Sequence, residues 1–320
     1  MLWSISLIIL GGFLLVSGAN LLVVSATVLA RMFRVSSLTI GLTIVAFGTS
    51  APELLVSSVA SMKGLPEVAL GNVVGSNIFN ILFILGICAL ITPLTIHQKL
   101  IREDLWIMIG VSLLFWGICY LGDITRLWGA FLFLCILLYT FLQVFFGKKE
   151  HEDNEPNEID ENQWSSSQLY WNLFLVFCSL AILSFGADCF VKGSVQIALM
   201  IGVSELIISL TLVAMGTSLP ELATCVVASL RKETDIVVGN IVGSNVFNIL
   251  GVLGISALLS PEGIPIASSF IQRDILVMAG SAILCFPIFF TGYRISRLEG
   301  SFFLILYCAY VTYLASMSVS

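Results

Sequence analysis

Hydrophobic and polar positions divide the chain into long apolar stretches separated by short polar ones. Ten stretches are long enough, at about 17 to 25 residues, to cross a bilayer as helices. They run roughly over 3–30, 38–62, 68–92, 104–122, 126–146, 169–199, 205–230, 236–259, 274–291 and 298–317. The first stretch lacks the basic start of a signal peptide, so we expect a retained helix there. The pattern therefore predicts an all-α, polytopic membrane protein with ten transmembrane helices.

The composition supports this assignment, because 58% of the residues are hydrophobic and only 11% are charged, against about 25% charged in an ordinary soluble domain. With the N-terminus placed outside, ten of the 14 Lys and Arg residues fall on the inner side. Since basic loops stay in the cytoplasm, both termini are predicted to lie outside. The compact size favours a prokaryotic cytoplasmic (inner) membrane. Membrane lipid is the expected surrounding, and no nucleic-acid partner is indicated.

The chain repeats itself at an offset of 168 residues. "LTIVAFGTSAPEL" (42–54) matches "LTLVAMGTSLPEL" (210–222) at ten of thirteen positions, and "GNVVGSNIFNIL" (71–82) matches "GNIVGSNVFNIL" (239–250) at ten of twelve. We therefore predict two five-helix repeats, 1–146 and 168–320, joined by an acidic cytoplasmic linker at 147–167. An odd number of spans inverts the second repeat relative to the first. Inverted repeats place their substrate at the repeat interface, near the bilayer midplane.

Each repeat carries one glutamate, Glu53 or Glu221, inside an apolar stretch. A carboxylate at the centre of a membrane helix costs about 2.5 to 3.5 kcal/mol or more, so it needs a compensating role. A neutral glutamate that only bonds helices together is one alternative, and its repetition argues against that reading. Residues three and four apart share a helix face, which places hydroxyl and amide groups beside the carboxylates. These are Thr49, Ser50, Ser76 and Asn80 in the first repeat, and Thr217, Ser218, Ser244 and Asn248 in the second.

Helix-breaking residues precede both glutamates. They are Gly48 and Pro52 in the first repeat, and Gly216 and Pro220 in the second. Proline lacks a backbone N–H and pushes away the carbonyl four residues earlier, which here belongs to the glycine. We predict that both spans are broken at these positions. The loosened turns should also leave the carbonyls of Ala46 and Ala214 free to bind an ion.

The predicted site offers oxygen donors only, which is the ligand set of hard cations; Ca²⁺ takes about 6 to 8 oxygens, including carboxylates. Two glutamates supply a charge of −2, which one Ca²⁺ neutralises. Sodium can use the same oxygens, so the two ions compete, and competition is a simple origin of exchange. The two histidines lie in predicted loops, and the eight cysteines lack CxxC spacing. No cofactor is therefore predicted.

The paired motifs "GTSAPE…GNVVGSNIFN" and "GTSLPE…GNIVGSNVFN" resemble the two α-repeats of the sodium/calcium exchanger membrane family, within the cation/Ca²⁺ antiporter superfamily. The resemblance implies ten helices in two inverted repeats, with a central site built by spans 2, 3, 7 and 8. It also implies that spans 1 and 6 form a bundle that slides across the core. Exchange of about three Na⁺ for one Ca²⁺ by alternating access is the implied activity, typical of prokaryotic-type calcium/sodium antiporters.

The resemblance also implies roles for individual residues. Ca²⁺ would be bound by Glu53, Glu221, Thr49 and Thr217. Na⁺ would be bound by Ala46, Thr49, Ser50, Glu53, Ser76, Ala214, Thr217, Ser218, Glu221 and Ser244, with Asn80 and Asn248 completing the centre. Some relatives carry Asp at the position of Asn248, so the amide here argues against potassium dependence.

Three other functions compete with this interpretation. A proton-coupled Ca²⁺ or Mn²⁺ antiporter would alternate its glutamates between protonated and metal-bound forms, but the hydroxyl-rich surroundings favour sodium. A cation channel would use the same acids as a filter, whereas the paired broken helices favour alternating access. An intramembrane enzyme would need a nucleophile and base or a cofactor motif, and none is found.

Overall fold

The computed structural model describes residues 1–154, 165–202, 214–266 and 271–319. The helices of the first half are α1 (Leu2–Phe33), α2 (Ser37–Thr49), α3 (Ala51–Met62), α4 (Pro66–Ile91), α5 (Gln98–Arg102), α6 (Asp104–Leu121) and α7 (Arg126–Asn154). Those of the second half are α8 (Ser166–Met200), α9 (Ala214–Gly216), α10 (Leu219–Leu230), α11 (Thr234–Leu259), α12 (Leu276–Phe290) and α13 (Arg297–Val319). Two short strands, β1 (Leu94–Thr95) and β2 (Arg294–Ile295), pair antiparallel. The predicted all-helical membrane fold is confirmed.

The described residues contain fewer complete membrane-crossing helices than the ten that the sequence pattern predicts. Within the described residues, eight helices are long and apolar enough to cross a bilayer, or nine when the bent pair α2 and α3 is one span. Helix α10 is apolar but has only 12 residues. The residues directly before α9, 203–213, lie outside the described part. The tenth span therefore stays a prediction.

The predicted linker is partly helical. Helix α7 continues to Asn154, past the predicted end of the span at 146, and α8 begins at Ser166. His151, expected in a loop, therefore belongs to a helix, because the apolar pattern ends before the helical backbone does. The remainder of the linker, 155–164, lies outside the described residues.

The two longest helices, α1 and α8, pack against each other along their length. Glycines allow the close approach: a Cβ at Gly11 would lie 2.7 Å from the carbonyl oxygen of Gly186, and one at Gly193 would lie 2.6 Å from that of Ser4. Small residues at such contacts let membrane helices gain dispersion energy that lipid cannot supply. The helices of predicted spans 1 and 6 thus form one tight pair beside the core.

Helix α11 lies at the centre of the bundle, where its membrane segment is entirely buried. A Cβ at Gly243 would lie 2.6 Å from the Leu42 carbonyl oxygen, and one at Gly239 would lie 2.8 Å from that of Leu38. Gly239 and Gly243 therefore bring α11 directly against α2. The repeat offset pairs the α2 segment with residues near 206–214, which lie mostly outside the described part.

Contacts in the two halves correspond to each other. A Cβ at Gly86 would lie 2.9 Å from the carbonyl oxygen of Gly300, where α4 meets α13. A Cβ at Gly254, which follows Gly86 by the repeat offset, would lie 3.1 Å from the carbonyl oxygen of Gly129, where α11 meets α7. The same helix contact is therefore made twice, once by each repeat with the other.

Candidate functional site

Two helices are interrupted at a serine of the repeated motif. Ser50 separates α2 from α3 with φ −82° and ψ 5°, and the two helices meet at 43°. Ser218 has similar angles, φ −90° and ψ 9°, before α10. Pro52 and Pro220 follow in the first turn of the next helix, where a missing N–H removes no intrahelical bond. The motif thus ends one helix and begins another in each half.

The glycines of the motif are not the break points, which corrects the prediction. Gly48 and Gly216 are still helical, in α2 and α9. A Cβ at Gly48 would lie 2.6 Å from the Leu180 side chain, and one at Gly216 would lie 2.7 Å from that of Val191. Both neighbours belong to α8. The glycines therefore make room for α8 against the site, while the chain leaves the helical path at the serine.

The carbonyl of Ala46 is not free, contrary to the prediction. It accepts a hydrogen bond from the backbone N–H of Ser50 at 3.1 Å. Thr49 Oγ1 also lies 3.4 Å from this oxygen, so an ion that binds the carbonyl would share it with these groups. In the second half, the N–H of Ser218 donates instead to the carbonyl oxygen of Met215 at 3.1 Å. The role of the Ala214 carbonyl stays a prediction.

The two glutamates are fully enclosed and held by serines of the opposite repeat. Glu53 has an exposed fraction of 0% and Glu221 of 1%. Ser218 Oγ donates to Glu53 Oε1 at 2.8 Å, and Ser50 Oγ donates to Glu221 Oε1 at 3.0 Å. Both carboxylates also lie in the first turn of a helix, where the positive end of the dipole favours negative charge. The reciprocal bonds bring the two predicted half-sites together.

Each carboxylate keeps one oxygen without a partner. Glu53 Oε2 and Glu221 Oε2 are buried and accept no hydrogen bond from the described residues. The buried charged side chains of the described residues are all acidic, so no lysine or arginine neutralises the pair. An uncompensated buried charge is strongly unfavourable, on the order of 3–5 kcal/mol. The site therefore requires a cation or a proton from outside the protein.

The two threonines bond to asparagines that the sequence analysis did not single out. Thr49 Oγ1 donates to Asn240 Oδ1 at 3.1 Å, and Thr217 Oγ1 donates to Asn72 Oδ1 at 3.1 Å. Each bond again joins one repeat to the other. The sequence did contain a signal for these asparagines. In the repeated "GNxxGSN" motif each asparagine lies four residues before a predicted site serine, Ser76 or Ser244, and therefore on the same helix face.

Asn80 and Asn248 lie in π-helical turns of α4 and α11, at Phe79–Leu85 and Asn248–Leu253, and Ser76 and Ser244 lie in the helical turn before each. Such turns are frequent at functional sites. Asn80 is fully buried, and neither its Oδ1 nor its Nδ2 has a partner among the described residues. Ser76 Oγ is likewise buried and unpaired. Ser244 Oγ makes only a long contact, 3.5 Å, to Asn240 Oδ1. These groups are available to ligands.

The other asparagines of the motif hold helices together. Asn248 Nδ2 donates to Asn77 Oδ1 at 3.1 Å, and Asn77 Nδ2 donates to the Asn245 carbonyl oxygen at 3.2 Å. The Asn77 side chain therefore joins α4 to α11, whereas the Asn245 side chain donates to the Ile241 carbonyl oxygen of its own helix at 2.7 Å. Asn248 differs from its counterpart Asn80, because its amide nitrogen is used for this bridge and only Oδ1 stays unpaired.

The chain is similar to known membrane proteins over most of its length, and one of them is named an exchanger. It is 30% identical to the sodium/calcium exchanger MaX1 of Methanosarcina acetivorans over 342 residues, covering 96% of this chain and 97% of the relative. It is 38% identical to the inner membrane protein YrbG of Escherichia coli over 284 residues, covering 87% and 86%.

A solved structure and a family model also match this chain. The solved structure of the sodium-calcium exchanger NCX_Mj, soaked with 10 mM Na⁺ and no Ca²⁺, matches at a TM-score of 0.84 and 31% identity, over 98% of this chain and 99% of that one. The family model described as sodium/calcium exchanger protein matches residues 3–145 and 171–315, and thus both halves. This chain therefore belongs to the sodium/calcium exchanger family.

Proposed function

We propose that this protein is an antiporter that exchanges Na⁺ for Ca²⁺ across a membrane. The observation that carries the proposal is the buried pair Glu53 and Glu221, which has no basic partner among the described residues and one unpaired oxygen on each carboxylate. Hydroxyl and amide oxygens surround the pair, and such donors suit hard cations. Family membership supports the choice of sodium and calcium among those cations.

The charge of the site links the two ions. One Ca²⁺ or two Na⁺ neutralise the two carboxylates, so each occupant excludes the other. Crossing the apolar core with two bare carboxylates is costly, and this cost makes the empty site a poor carrier. A third Na⁺, as in the exchange ratio of about three to one that the family resemblance implies, would make each cycle move one net charge.

The proposed residue roles are those that the family resemblance implies. Glu53 and Glu221 bind Ca²⁺ with Thr49 and Thr217, and the Na⁺ sites use the same oxygens together with those of Ser50, Ser218, Ser76, Ser244, Ala46 and Ala214. Asn80 and Asn248 complete the centre. Support comes from the unpaired buried oxygens of Glu53, Glu221, Ser76, Asn80 and Asn248.

Two inverted five-helix repeats that differ in conformation can exchange their conformations, and this exchange would open the site to each side of the membrane in turn. The paired glycine contacts of α4 with α13 and of α11 with α7 support the repeat. A difference between the halves supports two states: Thr49 and Asn240 are fully buried, while their counterparts Thr217 and Asn72 are only partly buried. Exchanging these environments would open the site to the other side. The tight pair α1 and α8 is the element that would slide.

The predicted topology, with both termini outside a prokaryotic inner membrane and the linker inside, stays part of this proposal. Loops that it places on one side of the membrane do meet. His97 lies 3.3 Å from Asp235, and Thr95 Oγ1 lies 2.8 Å from Thr234 Oγ1. These contacts support a shared side and leave the choice of side to experiment.

Uptake of ⁴⁵Ca²⁺ into liposomes tests the proposal. Vesicles that contain the purified protein are loaded with Na⁺ and diluted into Na⁺-free buffer, and a parallel set carries a proton gradient without Na⁺. We expect uptake with the Na⁺ gradient only, and none in Glu53→Gln. Asp188→Asn is the matched control, because this exposed carboxylate pairs only with Lys192 at 2.7 Å and its repeat partner is already Asn20.

Two results would overturn the proposal. Uptake driven only by the proton gradient would make the protein a proton-coupled antiporter. Ca²⁺ flux that needs no countertransported ion would make it a channel.

A further inference from the structure

We infer that Asn72 and Asn240 are positioning residues that fix the direction of the hydroxyl protons of Thr217 and Thr49, so that these threonines offer only lone pairs to the transported cation. The inference rests on the proposed exchange of Na⁺ and Ca²⁺. It concerns two residues whose side chains are not among the predicted ligands. Each asparagine contacts a threonine of the opposite repeat at 3.1 Å.

The orientation of the Asn72 amide follows from its neighbours. Its Nδ2 lies 3.3 Å from the backbone carbonyl oxygen of Glu53 and 2.9 Å from Ser57 Oγ. A carbonyl oxygen only accepts hydrogen bonds, so the group facing it must be the NH₂ group. The opposite end of the amide, Oδ1, therefore faces Thr217. Because Oδ1 only accepts, the threonine hydroxyl must donate its single proton to it.

Asn240 has the same arrangement in the other half. Its Nδ2 lies 3.2 Å from Cys225 Sγ, and that thiol lies 3.9 Å from the Val237 carbonyl oxygen, to which it donates. Cys225 is the repeat partner of Ser57, so both asparagines are anchored by the same position. The amide oxygen of Asn240 faces Thr49 at 3.1 Å and is the nearer of two acceptors for its proton, since the Ala46 carbonyl oxygen lies 3.4 Å from Thr49 Oγ1.

The consequence for ion binding is chemical. A hydroxyl group has one proton and two lone pairs. Once the proton is committed to asparagine, the threonine oxygen cannot donate to a carboxylate and can only accept or coordinate. The nearby Glu53 and Glu221 then keep their second oxygens for the ion. Without the asparagine, the hydroxyl can rotate and donate to a carboxylate, which competes with the cation for that oxygen.

The test uses a double-mutant cycle between Thr49 and Asn240. The readout is the Na⁺ concentration that displaces half of the ⁴⁵Ca²⁺ bound to the purified protein, with the Ca²⁺ affinity measured separately. We expect Asn240→Ala to change the Na⁺ concentration for half-displacement by about three- to tenfold, the size of one hydrogen bond. In the Thr49→Val background, Asn240→Ala should add less than twofold, whereas in Thr49→Ser its full effect should return.

The outcomes separate the two proposals. If the wild-type protein binds neither ion, the proposed function fails and this inference fails with it. If the wild type binds both ions and Asn240→Ala leaves the displacement unchanged, or if its effect persists in Thr49→Val, only the positioning role is wrong. Should Asn240→Ala not fold, Asn72→Ala with Thr217→Val provides the same cycle at a less buried position.

Discussion

Replacing Glu53 by glutamine should weaken Ca²⁺ binding far more than it disturbs the fold. Glutamine keeps an oxygen that can accept the bond from Ser218, which measures 2.8 Å in the native protein. It removes one of the two negative charges, so that a bound Ca²⁺ leaves a net charge of +1 in a fully buried site. Because the substitution also removes an uncompensated buried carboxylate, the ion-free protein should unfold at the same or a higher temperature.

The size of the loss follows from the burial. Removing one partner of a buried ion pair costs about 3–5 kcal/mol. At about 1.4 kcal/mol per tenfold, this equals a loss of Ca²⁺ affinity of about 100- to 4,000-fold. Coulomb energy is proportional to the charge of the ion, so one Na⁺ at the same distance should lose about half as much free energy. The substitution should therefore shift preference towards Na⁺.

Equilibrium binding of ⁴⁵Ca²⁺ to the purified variants, with Na⁺ competition, measures both quantities. Glu221→Gln should behave alike, since the two carboxylates are bonded reciprocally to the two serines. Asp188→Asn should bind Ca²⁺ within about twofold of the wild type, because an exposed ion pair contributes about 0–1 kcal/mol to stability and lies outside the site. A Ca²⁺ affinity within threefold of wild type in Glu53→Gln, or an equal loss for Na⁺, would refute the reasoning.

Three further results are expected. Gly243→Ala places a methyl group 2.6 Å from the Leu42 carbonyl oxygen and should destabilise the protein by about 1–3 kcal/mol. Its control is Gly280→Ala, which has nothing described within 4 Å of its Cβ and should leave the thermal unfolding temperature unchanged. Arg231 Nε donates to Asn20 Oδ1 at 3.0 Å and joins the end of α10 to α1. Arg231→Leu should shift the equilibrium constant away from this conformation by about two- to tenfold. Unchanged distances between spin labels on α1 and α10 would contradict this. With an exchange ratio of three to one, a potassium diffusion potential of 100 mV should change Ca²⁺ accumulation by up to about 40-fold, since it supplies about 2.3 kcal/mol per charge, whereas electroneutral exchange would not respond.

The sequence by itself determined the elements that depend on local pattern. Apolar stretches of bilayer length specify membrane helices, and a repeat of ten identities in thirteen positions identifies equivalent residues in two halves. The two glutamates could be recognised because a carboxylate in an apolar helix is costly wherever it lies. Helix spacing predicted one shared face for Thr49, Ser50 and Glu53, but the break at Ser50 places Thr49 and Glu53 in different helices.

Only the tertiary structure decided which groups meet. No local pattern shows that Ser50 bonds to Glu221, or that Thr49 bonds to Asn240, because each bond joins residues more than 160 positions apart. The point of the break was also decided there. The sequence placed it at Gly48 and Pro52, whereas packing against α8 needs a small helical residue at position 48 and the chain bends between the two, at Ser50. Partners across the repeat interface depend on how the two halves dock, and docking is a property of whole helix faces.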